Sequence, residues 1–299
     1  MLSGSTVLVT GATGRLGAEL TARLEELGAD VVPVVLGGYP DRPKRIPWPG
    51  RATPLRVRGD DDLRGLPRPD LAINAHWEVR RELSRGGQLA FEIDRNIRAL
   101  EGFWDWLARS GARALANVSS LKVFGHLNAG PISSETEPRP STPYGIAKLA
   151  AEKYLEAAFE GTGTAVLHLR LCSVMTAGGH PSQLVSQLAA GVLERRTVRI
   201  NAGHLAYLIP IEEAVDLVIQ AAHGGRAGRY NIVAPGVRNE QVAELFGRVA
   251  GRDVPAEYVD LEPGVQDPVY LSDIPRLQAA WTRRVPLEKA IRNILAFSS

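Results

Sequence analysis

The run TVLVTGATGRLG, Thr6–Gly17, passes from a β-branched segment, Thr6–Thr10, through the glycines Gly11, Gly14 and Gly17 into the helical pattern of Ala18–Leu27. A strand ending on such a turn brings the next helix, N-terminus first, to the edge of a sheet. The first turn of that helix carries N–H groups without intrahelical partners and the positive end of the helix dipole. Glycines in the turn let an anion approach the backbone. The spacing is G-x-x-G-x-x-G rather than G-x-G-x-x-G, yet its place between the first strand and first helix is where a dinucleotide's pyrophosphate is held. Gly11, Thr13, Gly14, Arg15, Leu16 and Gly17 are therefore candidate phosphate-binding residues.

Downstream, apolar bursts predict strands at Val31–Leu36, Leu71–Ile73, Ala114–Val118, Ala165–Leu171 and Tyr230–Val233. Helical patterns fall between them at Gln88–Arg109, Pro143–Phe159 and Glu212–Ala222. Strands alternating with helices pair in parallel through right-handed crossovers, so the expected class is α/β, a Rossmann-type doubly wound parallel sheet. Gly37–Pro54, rich in Pro, Gly and Arg, reads as an irregular surface loop, and the alternation weakens after Arg170. Residues 1–170 are read as the dinucleotide-binding domain, with later returns at about 205–235. Residues 171–204 and 236–299 are read as a smaller, mainly helical substrate-binding lobe.

Composition narrows the function. Of 299 residues, 44% are hydrophobic and 23% charged, the balance of an ordinary globular chain. Thirty-five Lys and Arg against 33 Asp and Glu leave a net charge of +2, too even for a nucleic-acid-binding surface. Cys172 is the single cysteine, which excludes an internal disulfide and a cysteine-rich metal site; its apolar neighbours mark it as core filler. No metal site is expected. No apolar stretch nears the roughly 20 residues of a membrane span, and the N-terminal run lacks a signal peptide's layout. A cytoplasmic protein acting on a small molecule, without nucleic-acid or membrane partners, is expected.

An acidic residue ending the second strand would bind a ribose 2′-hydroxyl and repel a 2′-phosphate. Here Val34–Gly38 holds no carboxylate before Asp41, while Arg15, Arg42, Lys44 and Arg45 are cations available to a phosphate. NADP is preferred over NAD. Tyr144 and Lys148 then stand at i and i+4 of one predicted helix, hence on one face. A phenol ionises near pH 10, and a neighbouring ammonium lowers that value. Upstream, the strand Ala114–Val118 ends in Ser119-Ser120, a hydroxyl at the strand end where open sheets place ligands.

The ordered set GATGRLG, Gly59-Asp60, Asn74-Ala75, Asn96, SSLKVFG, ETEPRP and YGIAK resembles an extended short-chain dehydrogenase/reductase of the epimerase/dehydratase kind, which includes dTDP-4-keto-sugar reductases. The match is strong to about Arg170. The resemblance implies that Ser120 and Tyr144 hydrogen-bond the substrate oxygen, that Tyr144 exchanges the proton, and that Lys148 lowers the phenol's pKa and holds the nicotinamide ribose. It also implies that Asp60 contacts adenine, that Asn74 and Ala75 lie beside the middle of the cofactor, and that the chain forms a homodimer.

The chain departs from that pattern where the substrate binds. It carries Ser173 in place of the usual asparagine run, and Ala206–Glu213 lacks the arginine expected for a diphosphate. His76 and Trp77 replace small residues, and Trp77 would narrow the pocket. His76, Trp77, Lys122, His126 and Ser173 are the substrate-side candidates, with a packed, hydrogen-bonded histidine the plainer reading of His76. Trp104 and Trp106 read as core or interface residues, and Glu152, one turn past Lys148, as its i,i+4 partner. The leading expectation is a reductase or alcohol dehydrogenase acting on a small polar molecule, a nucleotide-activated keto-sugar among the candidates. The alternatives are an epimerase that cycles its cofactor internally and a non-catalytic dinucleotide sensor.

Overall fold

A computed structural model describes residues 2–36, 49–125, 130–180, 182–224, 226–260, 267–277 and 284–298. Seven strands form one parallel sheet: β1 (Thr6–Thr10), β2 (Asp30–Leu36), β3 (Leu55–Val57), β4 (Leu71–Asn74), β5 (Ala114–Ser120), β6 (Ala165–Leu171) and β7 (Gly228–Ile232). They lie in the order β7-β6-β5-β4-β1-β2-β3. The chain builds outward from β1 to β3, then crosses back to β4 and continues to β7. The reversal lies between β1 and β4, and the crevice beyond their carboxyl ends is where such sheets bind ligands.

The helices are α1 (Arg15–Glu26), α2 (Arg85–Asn96), α3 (Glu101–Ala108), α4 (Pro143–Ala158), α5 (Leu184–Glu194), α6 (Ile211–Gly224), α7 (Asn239–Ala250) and α8 (Leu287–Ser298); α1 and α6 cover one face of this sheet, α3 and α4 the other, and α5, α7 and α8 pack on one another. A sheet buried on both sides needs strands that are apolar throughout, and LAIN of β4 is buried at every position. Val7 and Val9 of β1 face a cluster with Leu20 and Leu24 of α1 and Leu217 and Val218 of α6. Leu8 faces the other way, toward Phe103, Trp104 and Leu107 of α3 and Leu155 of α4. A third apolar cluster joins α5, α7 and α8 through Leu188, Phe246 and Ile291.

The predicted strands form close to their expected bounds, and Leu55–Val57 adds an edge strand that was not anticipated. The helix expected over Gln88–Arg109 is broken at Ile97 (φ −124°, ψ −70°), and a single 3₁₀ turn separates α2 from α3. The Asn96 side chain causes the stop: it donates to the carbonyls of Glu78 and Glu92 and accepts from the Glu78 N–H at 2.6 Å. Of the expected return at 205–235, β7 and α6 join the main sheet. Leu205–Pro210 instead pairs with Ser173–Met175 and Gly236–Arg238 in a separate three-stranded sheet.

Candidate active site

The glycine turn is tightly folded. Gly11 has φ +65°, and a Cβ there would lie 2.6 Å from the backbone of His76. A Cβ on Gly17 would lie 2.2 Å from the Gly11 carbonyl oxygen, so a side chain at either position would force the turn open. Gly14 starts α1 without a side-chain cap, and no acidic residue occupies the first turn. A helix start of this kind fits a pyrophosphate, because its free N–H groups meet no competing carboxylate. Thr13 and Leu16 belong to the same turn and helix start, Leu16 packing partly against the core.

Arg15 lies against the far end of the chain. A Cβ on Gly178 would come within 2.8 Å of its guanidinium and 3.2 Å of the Phe297 ring. Its Nε is buried without a hydrogen-bond partner among the described residues, and burial lowers its pKa. Arg42, with Lys44 and Arg45, lies outside the described residues, as does His126. Asp60 opens the single turn Asp60–Leu63; its side chain is outside the described residues.

Asn74, expected beside the cofactor, spends its side chain inside the sheet. Its Oδ1 accepts from Thr10 Oγ1 at 2.6 Å and its Nδ2 donates to Asn117 at 2.8 Å. Asn117 in turn meets His168 Nδ1 at 3.2 Å. At the crevice the backbone of Ala75 and His76 packs against Gly11, and Asn74 Oδ1 also accepts from the His76 N–H at 3.2 Å.

Ser120 ends β5, and its Oγ accepts the Lys122 N–H at 3.2 Å. Thr142 caps α4 by accepting from the Gly145 N–H, and Pro143 occupies the first turn. Gly145 then packs on the turn after β5: a Cβ there would lie 2.3 Å from the Lys122 carbonyl oxygen. That close approach sets Tyr144, in the first turn of α4, beside the end of β5, where Ser120 favours its phenolate form. One helical turn on, buried Lys148 donates from Nζ to the Val118 carbonyl at 2.9 Å. The structure thus gathers Ser120, Tyr144 and Lys148 at one end of β5.

Trp77 completes this corner. The Lys148 ammonium sits 3.8 Å from the centroid of its ring, and Tyr144 meets the ring edge-on at 6.0 Å. Its Nε1 donates to fully buried Glu92 at 3.0 Å, and Gln88 holds the other Glu92 oxygen. Burial pushes the Tyr144 phenol up to about 12, against the opposing effect of Ser120. Burial brings Lys148 down to about 7, although Glu92 and Glu152 favour its charge. His76 is held at about 4 by burial and by the charges of Lys148 and Arg95, so it is neutral at physiological pH.

Glu152 is not simply the i,i+4 partner of Lys148. It makes a bidentate pair with Arg170 at 2.7 and 3.1 Å, both side chains being 0% exposed, and accepts from Ser119 Oγ at 2.5 Å. The pair ties α4 to β5 and β6 immediately behind Ser120. Cys172 is buried core, its thiol raised to about 11 by burial. Trp104 is core as well. Ser173 is exposed just beyond β6, and Lys122 is exposed beside Ser120. Sequence reasoning missed Glu92, Arg81 and Ser182. Arg81 donates to Ser182 Oγ at 2.9 Å, and the Val79-Arg80-Arg81 run at the exit of β4 was the signal available. Among the described residues no group of His, Cys, Asp and Glu is placed to hold a metal, and no helix is long and apolar enough to cross a membrane.

An uncapped glycine turn at the reversal of a parallel sheet, with serine, tyrosine and lysine at the same edge, defines an enzyme of the short-chain dehydrogenase/reductase class. The chain belongs to the NAD dependent epimerase/dehydratase family, whose model matches residues 7–232. It is 23% identical to the UDP-glucose 4-epimerase of Corynebacterium glutamicum, over 98% of this chain and 95% of that protein. Among solved structures it is similar to MoeE5 in complex with UDP-glucose and NAD (24% identity, TM-score 0.75, 98% of each chain). It is also similar to the UDP-glucose 4-epimerase of Thermotoga maritima with UDP-glucose (20% identity, TM-score 0.80, 98% of each chain).

Proposed function

We propose that this chain exchanges hydride at a carbinol or carbonyl carbon of a small polar substrate, an activated sugar being the favoured class, with Tyr144 moving the proton. The observation that carries this is the meeting of Ser120, Tyr144 and Lys148 at the sheet edge that also bears the uncapped turn before α1. Gly11–Gly17 and the α1 N–H groups would hold the pyrophosphate, and Lys148 the nicotinamide ribose. When bound, the dinucleotide supplies or takes up the hydride. Ser120 and Tyr144 orient the substrate oxygen. A phenol near 12 is protonated at neutral pH, the form that donates in reduction. Lys148, brought to about 7, changes charge near neutrality, and its ammonium favours the phenolate needed for the reverse direction. NADP is preferred because Val34–Gly38 offers no carboxylate against a 2′-phosphate.

Epimerisation is the second reading, favoured by the nearly full-length similarity to a UDP-glucose 4-epimerase. It uses the same proton and hydride transfers twice, on opposite faces of the sugar. A homodimer through the helices of Gln88–Arg109 and Pro143–Phe159 belongs to the proposal and is checked by sedimentation. The deciding experiment titrates the protein with NADPH and NADH by nicotinamide fluorescence, in wild type, Tyr144→Phe and Gly14→Asp. Binding that survives Tyr144→Phe and vanishes in Gly14→Asp supports the site. Binding of neither nucleotide by folded, cofactor-free protein refutes it. Stoichiometric oxidation of the nucleotide with a keto-sugar indicates a reductase, and a retained cofactor without net consumption an epimerase.

A further inference from the structure

We infer that Arg81 and Lys122 form an anion-binding subsite beside Tyr144, so that the substrate carries a carboxylate or phosphate near the carbon that exchanges hydride. The inference rests on the function proposed above and specifies its substrate. Arg81 leaves the β4 side of the crevice and reaches Ser182 on the far side at 2.9 Å, and Ser182 is itself bonded to His180 at 2.8 Å. Lys122 stands on the turn that carries Ser120, against which Gly145 packs.

The neighbouring cations are already occupied. Arg80 pairs with Glu82 at 3.3 Å, Arg95 with Glu78 at 3.2 Å, and Arg85 donates to the Ser141 carbonyl at 2.8 Å. Neither Arg81 nor Lys122 has a carboxylate partner among the described residues. Glu92, the nearby acid, is taken by Trp77 and Gln88. Arg81 also acts on the site: after burial it is what lowers the Lys122 pKa, and it favours the Tyr144 phenolate. Two exposed like charges, one tied to a hydroxyl and the other carried on a tight turn, have donors to offer an incoming anion.

The test is calorimetric titration of the protein, with and without NADH, using UDP-glucuronate, UDP-glucose and UDP as probes. Arg81→Gln is expected to weaken an anionic probe about tenfold or more, the weight of one charge-assisted hydrogen bond. Arg81→Lys recovers most of that loss, Lys122→Met weakens binding in the same sense, and NADH affinity stays within about twofold in every variant. Equal losses for all three probes assign the phosphates as the bound group, and a loss confined to UDP-glucuronate assigns the carboxylate. Unchanged affinity for every probe in both Arg81→Gln and Lys122→Met overturns the subsite, and so does failure of every probe to bind wild type. Failure to bind either NADH or NADPH sinks the proposed function instead, and the probe titrations without cofactor still read the subsite independently.

Discussion

Removing Glu152 is the sharpest perturbation of the scaffold behind the site. Glu152→Ala strips Arg170 of its bidentate partner at 2.7 and 3.1 Å while the guanidinium stays 0% exposed, and it leaves Ser119 Oγ without its acceptor. An uncompensated buried charge costs about 3–5 kcal/mol. The carbonyl of Ser134, at 3.2 Å, and the face of Phe124 remain near Arg170, but neither carries a negative charge. At about 2 cal/mol/K of unfolding entropy per residue, that loss lowers Tm by about 5–8 °C. Urea denaturation and scanning calorimetry measure both quantities. Glu152→Gln, which keeps an acceptor for Ser119, should lose less. Replacing both partners by methionine should recover most of the loss, because the penalty lies in the orphaned charge and not in the missing bond. A loss under about 1 kcal/mol in Glu152→Ala, or a double variant no better than the single one, would refute this account.

Acid should destabilise the fold between pH 6.5 and 4. His76 and His168 are both held at about 4 in the native state against 6.5 unfolded, so the unfolded chain binds protons across that window and the native chain does not. Stability is complete above 6.5 and falls by up to about 3 kcal/mol per histidine at the acid end; His168→Gln should flatten the slope of urea midpoint against pH. Gly145→Ala, whose Cβ would meet the Lys122 carbonyl at 2.3 Å, should cost about 1–3 kcal/mol. It should cut turnover while NADPH binding holds, because the Gly11–Gly17 turn is untouched; a comparison of kcat with nucleotide affinity checks this. Trp77→Phe removes the donor to buried Glu92 and should lose about 1–3 kcal/mol by thermal denaturation.

How much of this was legible depends on the distance over which each cause acts. The strands were, because a parallel strand covered on both faces is an unbroken apolar run, and β1 and β6 coincide with theirs. The glycine turn and the Tyr144–Lys148 spacing are local in sequence and were legible too. The break at Ile97 was not: it follows from Asn96 binding Glu78, 18 residues away, while its own flanks read as helix. Glu152 looked like a partner for Lys148 because Arg170 comes from a different strand. Arg81 and Ser182 lie 101 positions apart and meet only once the crevice is assembled. Buried Glu92 looks, in sequence, like any solvated position of a polar helix face.

The side chains of Thr10, Asn74, Asn117 and His168 occupy directly paired positions on β1, β4, β5 and β6. A parallel strand buried on both faces presents nearly interchangeable apolar residues, so hydrophobicity barely distinguishes one alignment from its neighbour two residues along. The row of hydrogen-bonding groups removes that ambiguity. Sliding any one of these strands would strand donors and acceptors in a dry interior, at about 1–3 kcal/mol for each group left unmatched. The row acts as an alignment key for the carboxyl edge of the sheet, and it sets the relative heights of Gly11, His76 and Ser120. A reaction that needs atoms placed to within a fraction of an ångström therefore depends on residues that touch neither substrate nor cofactor.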